Sequence, residues 1–288
     1  MAVKILADSA SDLRKEHYNE FAIEMVPLTV HLDDKDYQDG ITIEPLTVYN
    51  AMREGKTPKT SQVSPLTFKT IFTSYAEKNQ PLVYIAFSSQ LSGTYQTATM
   101  MLQEVLEAYP NAPIQIVDSK CASLGYGLVV LHAAKLASTG ATIQEVVADA
   151  TYQAEHMVHL FTVDDLEYLY RGGRVSKTAA FVGSLLKIKP LLHVDDGKLI
   201  PLEKIRGSKK VFGRMLDMME ERGTNFTNQS VGICHSDDLE RAKQLASSIS
   251  ERFGINVDDI EIVMIGAVIG AHVGPGTIGI FFLDKPSN

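Results

Sequence analysis

Apolar residues fall along the chain in short runs that alternate with stretches of helical spacing. Residues 3–7, 83–87 and 114–117 are compact apolar runs bounded by polar positions, and each predicts a strand. Between and after them, 65–78, 94–108, 127–138 and 142–157 predict helices; the last carries Val146, Val147, Ala150 and Ala154 at three- and four-residue intervals. Strand and helix in repetition imply a parallel sheet covered on both faces. Such sheets place binding loops at the carboxyl ends of their strands.

The pattern changes after about residue 158. A strand is expected over 159–163 and a short helix over 166–170. Apolar runs at 191–194 and 199–205 flank Asp195-Asp196-Gly197, a hairpin signal. A helix over 208–221, a strand over 231–235, a helix over 238–253 and strands over 260–264 and 277–282 follow. A hairpin among helices predicts a mixed sheet. The expected architecture is therefore α/β with two domains: a parallel-sheet N-terminal domain over 1–158 and a mixed-sheet α+β C-terminal domain over 159–288. No low-complexity linker separates them. Ala7-Asp8-Ser9 and Val117-Asp118-Ser119 match, each directly after a strand, which suggests two related crossover units.

Composition narrows the function classes. The 288 residues are 45% hydrophobic and 22% charged, enough for a sizeable core. A formal charge of −8 argues against a nucleic-acid binder, which needs a basic face, and against permanent polybasic docking on a membrane. The first ten residues show no basic leader before a long apolar run, and the apolar stretch at 127–137 is too short to span a bilayer. Cys121 and Cys234 lie far apart without metal-ligand spacing and read as reduced, buried thiols. A cytoplasmic protein is expected.

The candidate chemistry sits in polar loops. Phe87-Ser88-Ser89-Gln90-Leu91-Ser92-Gly93-Thr94 runs from an apolar strand into hydroxyls and glycine, then into a helix. Free N–H groups at a helix start, the favourable dipole end and hydroxyl donors make an anion site. An ordinary N-cap with extra serines explains the same residues. Thr60-Ser61-Gln62-Val63-Ser64-Pro65 repeats the theme: Ser64 suits a cap and Pro65 a first helical position, which leaves Thr60 and Ser61 unexplained. Asp8 and Asp118 follow strands, where they either cap the next segment or serve a metal-assisted phosphotransferase or hydrolase together with His272. Arg171-Gly172-Gly173-Arg174 reads as a helix C-cap that leaves Arg174 unaccounted for. Lys204, Arg206, Lys209 and Lys210 cluster in an acidic protein, as a solvated face or as a dock for an acidic or phosphate-bearing partner. Residues 266–276 read as a glycine-rich apolar loop around His272. Gly125-x-Gly127 lacks the third glycine and the preceding strand of a dinucleotide site, and no GxSxG, Walker or HExxH pattern occurs. No resident metal or cofactor is expected.

Taken in order, several of these fragments resemble the DegV family of bacterial fatty-acid-binding proteins. They are Ala7-Asp8-Ser9-Ala10-Ser11-Asp12-Leu13, Thr60-Ser61-Gln62, Ser88-Ser89-x-Leu91-Ser92-Gly93-Thr94-Tyr95 and Val117-Asp118-Ser119. Further on come Gly172-Gly173-Arg174, Lys189-Pro190, Lys204-x-Arg206-Gly207 and Gly270-Ala271-His272-x-Gly274-Pro275-Gly276. The chain has Ala7 where the family pattern often has threonine, and Val63 where it often has proline. The resemblance implies two α/β domains that enclose an acyl chain and hold its carboxylate with hydroxyls of the Thr60-Ser61 and Ser88-to-Gly93 loops. On this sequence those are Thr60, Ser89 and Ser92 or Ser88, with Arg174 and His272 near the head group. It further implies a non-catalytic carrier whose bound acid is phosphorylated by a separate fatty acid kinase, with Lys204, Arg206 and Lys209 as candidate contacts. At most transient membrane contact is expected.

Overall fold

The computed structural model describes residues 2–176 and 188–286. The chain opens with β1 (Lys4–Asp8), α1 (Lys15–Glu20) and β2 (Glu24–Val26). A small excursion follows through β3 (Thr29–Leu32), β4 (Lys35–Gln38), α2 (Pro45–Arg53) and β5 (Lys59–Ser61). Then come α3 (Pro65–Glu77), β6 (Leu82–Ala86), α4 (Thr94–Ala108), β7 (Ile114–Asp118), α5 (Ser123–Ser138) and α6 (Ile143–His156). Strands β2-β1-β6-β7 form an all-parallel sheet. Every residue of β6 is buried, as a central strand covered on both faces must be.

Sheet membership changes without a linker at β8 (Met157–Thr162). After α7 (Glu167–Arg171) the chain forms the hairpin of β9 (Ile188–Asp195) and β10 (Lys198–Arg206). It then continues through α8 (Ser208–Arg222), β11 (Gly232–His235), α9 (Leu239–Phe253), β12 (Glu261–Met264), α10 (Ala267–Val273) and β13 (Ile278–Leu283). The second sheet has the order β10-β9-β8-β13-β11-β12 and is mixed, since β11 and β12 run parallel within an otherwise antiparallel arrangement. The fold is thus α/β with a parallel N-terminal sheet and a mixed C-terminal one. At the hairpin tip Asp196 and Gly197 both have positive φ, the two-residue turn that matches the twist of its strands.

Alternation gives the C-terminal sheet two distinct faces. One carries Leu160, Leu191, Ile233, Ile280 and Phe282 into a core with α8 and α9. The other points His159, Phe161, Cys234 and Phe281 toward the N-terminal half. Helix α5 lies between the two sheets and touches β1 on one side and β8, β11 and β13 on the other. It is buried around most of its circumference, which explains its uniformly apolar sequence.

Three expectations need correction. Residues 266–276 are not a loop: α10 occupies their middle, because its glycines allow close approach to a neighbouring helix; a Cβ at Gly270 would stand 2.7 Å from Tyr49 Oη. Thr60 and Ser61 lie in strand β5, which pairs with β3, and not in a loop. Helix α5 begins at Ser123, four residues before the expected start, so Gly125 and Gly127 are helical packing positions. Gly125 sits against His159 and Phe281, and Gly127 against the Ser11 carbonyl.

Candidate ligand-binding site

A cavity of about 360 Å³ lies between β5, the segments that follow β6 and β7, and the inner face of the C-terminal sheet. Its apolar walls include Phe87 and Leu91 on one side and Phe161, Val194, Leu199 and Phe281 on the other. Thr60, Ser61, Ser92, Gly93, Arg174 and His272 all touch it. Ser88 and Ser89 do not.

Local geometry explains this division. Directly after β6 the chain turns, with the N–H groups of Leu91 and Ser92 both donating to the Ser88 carbonyl. Ser88 is held back at the base of that turn: its buried hydroxyl donates to the Gly197 carbonyl at 2.8 Å and accepts from Gln90 N–H at 3.2 Å. The Ser89 N–H donates to Asp118 Oδ1 at 3.1 Å. Of the serines and glycine in this segment, Ser92 and Gly93 are carried to the wall beside Leu91. Ser92 Oγ accepts from Thr94 N–H at 3.2 Å and lies 2.8 Å from Thr94 Oγ1.

In β5 successive side chains alternate. Thr60 Oγ1 stands 2.7 Å from Nε2 of His272, in the last turn of α10. Ser61 turns its hydroxyl outward to His31 Nε2 at 2.5 Å, and His31 Nδ1 lies 2.6 Å from Asp36 Oδ1. Gln62 ties the two hydroxyl-bearing segments together, a role no sequence pattern signalled. Its Nε2 donates to Thr97 Oγ1 at 2.6 Å, and its Oε1 lies so close to Gly93 that a Cβ there would be 2.2 Å away. A side chain at 93 would displace the Gln62 amide from this position.

Arg174 leaves the turn after α7 and donates through Nε to the Leu91 carbonyl at 3.0 Å and through Nη1 to the Gly172 carbonyl. It is the sole full charge among the described residues that line the cavity. Burial pushes the His272 imidazole down to about 4, and the Arg174 charge adds to that, so the ring is neutral near pH 7. Deeper in the cavity His159 is also neutral, pushed by burial to about 4, with Nδ1 3.1 Å from the Met157 carbonyl and Nε2 accepting from Ala122 N–H at 3.2 Å. Burial raises the Cys234 thiol well above its ordinary range, so it stays protonated. Beyond strand alternation, no sequence pattern signalled these inner-wall residues.

The aspartates considered for metal chemistry are occupied otherwise. Asp8 is fully buried and accepts from Tyr84 Oη at 2.8 Å, Phe87 N–H at 3.1 Å and Ala10 N–H at 3.2 Å. Asp118 accepts from Ser89 and Lys120 N–H groups. Among the described residues no three His, Cys, Asp or Glu side chains gather as metal ligands. Lys204 and Arg206 share one exposed face of β10, and Lys209 and Lys210 are exposed in the first turn of α8, which follows β10 directly. No described helix is long and apolar enough to cross a membrane.

Fold and cavity together define an α/β protein with a largely apolar chamber between two sheets, closed by hydroxyls, a neutral imidazole and one guanidinium. The chain belongs to the DegV family: the family model described as "Uncharacterised protein, DegV family" matches residues 2–285. A DegV domain-containing protein of Clostridium perfringens is 42% identical over 282 residues, covering 97% of this chain and 96% of the relative. Among solved structures, a DegV family protein of Thermus thermophilus described for its fatty acid binding superposes with a TM-score of 0.88 at 31% identity, over 98% of this chain and 99% of that one. A Thermotoga maritima protein described as revealing a fatty acid binding function gives 0.83 at 32% identity, over 98% of each chain. DegV of Bacillus subtilis, described as a fatty acid binding protein, gives 0.84 at 28% identity, over 99% of this chain and all of that one.

Proposed function

We propose that this protein binds one long-chain fatty acid, such as palmitate, in the interior cavity and presents its carboxylate to a partner fatty acid kinase, which forms the acyl phosphate. The observation that carries the reading is the composition of the cavity: apolar walls meeting a cluster of neutral donors with a single guanidinium. In this reading the halves 1–158 and 159–288 close on the acyl chain, and Thr60, Ser92 and the Gly93 backbone receive the carboxylate, supported by His272 and Arg174. The binding functions of the Thermus, Thermotoga and Bacillus proteins support it.

The chemistry is consistent at each atom. A carboxylate only accepts, so the Thr60 hydroxyl must donate to it. The His272 imidazole is then the tautomer whose Nε2–H donates to Thr60 Oγ1, across the 2.7 Å contact. Ser92 Oγ already accepts from Thr94 N–H, which leaves its proton to donate. Burying roughly fourteen methylenes at ~0.8 kcal/mol each contributes on the order of 10 kcal/mol, so the head group needs only enough contacts to offset desolvation. The protein itself acts as a cytoplasmic carrier without a catalytic step, with Lys204, Arg206 and Lys209 as the docking surface for the kinase.

Uptake of radiolabelled palmitate or oleate by delipidated protein tests the site. One mole per mole of protein is expected, and Thr60→Ala with Ser92→Ala lowers retention at least tenfold, since each removes a hydrogen bond to a charged group worth about 1.5–3 kcal/mol. Retention unchanged in the double variant refutes the head-group assignment.

A further inference from the structure

Helix α10 begins at Gly266 without a side-chain cap from its own segment. Two carboxylates distant in sequence satisfy its first amides instead. Asp12 Oδ1 accepts from Gly266 N–H at 2.9 Å, and Asp39 Oδ1 accepts from Ala267 N–H at 3.0 Å. Both aspartates are buried, at 8% and 2% exposure, deep enough that each needs these donors. Asp12 sits at a left-handed φ of 52° and is pinned on its other oxygen by the Ser123 hydroxyl. A Cβ at Gly266 would stand 2.7 Å from Asp12 Oδ1, so the helix start and the carboxylate fit closely. Tyr49 Oη donates to the Ile265 carbonyl at 2.8 Å and fixes the approach to the helix. At the opposite end of this one short helix, about 10 Å along its axis, is His272.

We propose that Asp12 and Asp39 are positioning residues for the head-group site: they anchor the start of α10 on the N-terminal half and thereby set where His272 meets Thr60 and a bound carboxylate. The proposal deepens the fatty-acid reading and rests on it for the ligand, though not for the placement of His272.

Charge makes the anchor testable. The titratable groups that act on Asp12 or feel it are Asp8 from β1, Tyr18 from α1, Asp39, Tyr49 from α2 and Cys234 from β11, and none is a cation. Burial, with Asp39 adding to it, pushes Asp12 up to about 8, whereas Asp39 is pushed to about 6. Near neutrality the pair therefore shares one charge. Ionising Asp12 places a second buried negative charge beside the first and loosens the anchor.

The experiment follows the His272 imidazole by NMR against pH in ligand-free protein, alongside the release rate of labelled oleate. In the unmodified protein both change near pH 8, with release several-fold faster above the step. Asp12→Asn abolishes both steps, and Asp39→Asn moves them to lower pH by removing the neighbouring charge. Ser123→Ala, a milder change that removes a hydrogen bond favouring ionised Asp12, moves them higher and serves if Asp12→Asn does not fold. A His272 signal flat through this range, or a step that survives Asp12→Asn, overturns the proposal. Failure of oleate to bind with the His272 step intact refutes the ligand reading alone.

Discussion

At the level of single residues, the molecule buries three carboxyl groups around the strand ends of its N-terminal half, and each is held protonated above the ordinary range. Burial raises Asp8 and Asp39 to about 6 and Asp12 to about 8, against 3.8 for an exposed aspartate. The folded chain thus holds these protons at pH values where the unfolded chain has lost them. Below about 6.5 the buried His159 and His272, pushed down to about 4, act in the opposite sense, so the net fall in stability comes as pH rises from about 6.5 toward 8, where Asp12 loses its proton. Urea midpoints should decline as pH rises from about 6.5 to 8, and that decline should flatten in Asp12→Asn. A midpoint that climbs over that same interval contradicts this account. The site's residues were unequally legible in the sequence. Thr60 and Arg174 stood out because capping left them without a task, and His272 because a glycine-rich segment surrounds it. Ser88, Ser89 and Ser92 could not be told apart, since their difference arises from a turn folded back on the Ser88 carbonyl.

Among elements, the β9–β10 hairpin shows what Ser88 does in place of lining the cavity. The turn residues were readable from Asp-Asp-Gly, and both strands form where expected, extended by a few residues. What the sequence did not show is that the tip reaches across to the N-terminal half. Beyond His193 no residue of β9 pairs with β8, so the overhanging tip is fastened by Ser88 to the Gly197 carbonyl and by Lys120 to Asp196. Val194 and Leu199, directly opposite each other at the start of the overhang, line the cavity. Ser88→Ala should lower stability by about 1 kcal/mol, the net worth of one buried hydrogen bond, and increase amide exchange at the tip. Exchange unaltered there would show that the contact fastens nothing. Short elements account for most of what was missed: β3, β4 and β5 are three or four residues each, and α10 has three glycines in or beside seven residues. Neither offers enough length for a period to emerge, and both form because tertiary partners complete them.

For the molecule as a whole, two sheets of different construction meet across one buried helix, and the chamber forms where their faces fail to touch. That architecture was legible from the change of pattern near residue 158, because repeated strand–helix units and a hairpin imply different sheets. The chamber's inner wall was not, since its residues come from β8, β9, β10, β11 and β13 and converge only through pairing. In a chain of net charge −8 the exposed Lys204, Arg206 and Lys209 are the residues proposed above to dock the kinase. Arg206→Glu with Lys209→Glu should reduce phosphorylation of bound fatty acid by the proposed partner kinase at least tenfold while leaving oleate retention within twofold. Equal loss of both would mark these residues as structural.

Native mass spectrometry of protein isolated from cells without detergent or organic solvent bears most directly on the cavity's purpose. The expected spectrum shows one added mass equal to a long-chain fatty acid, lost on organic extraction and restored in a one-to-one ratio by palmitate or oleate. A clean mass of the bare chain, with no saturable gain on adding either acid, would contradict the account.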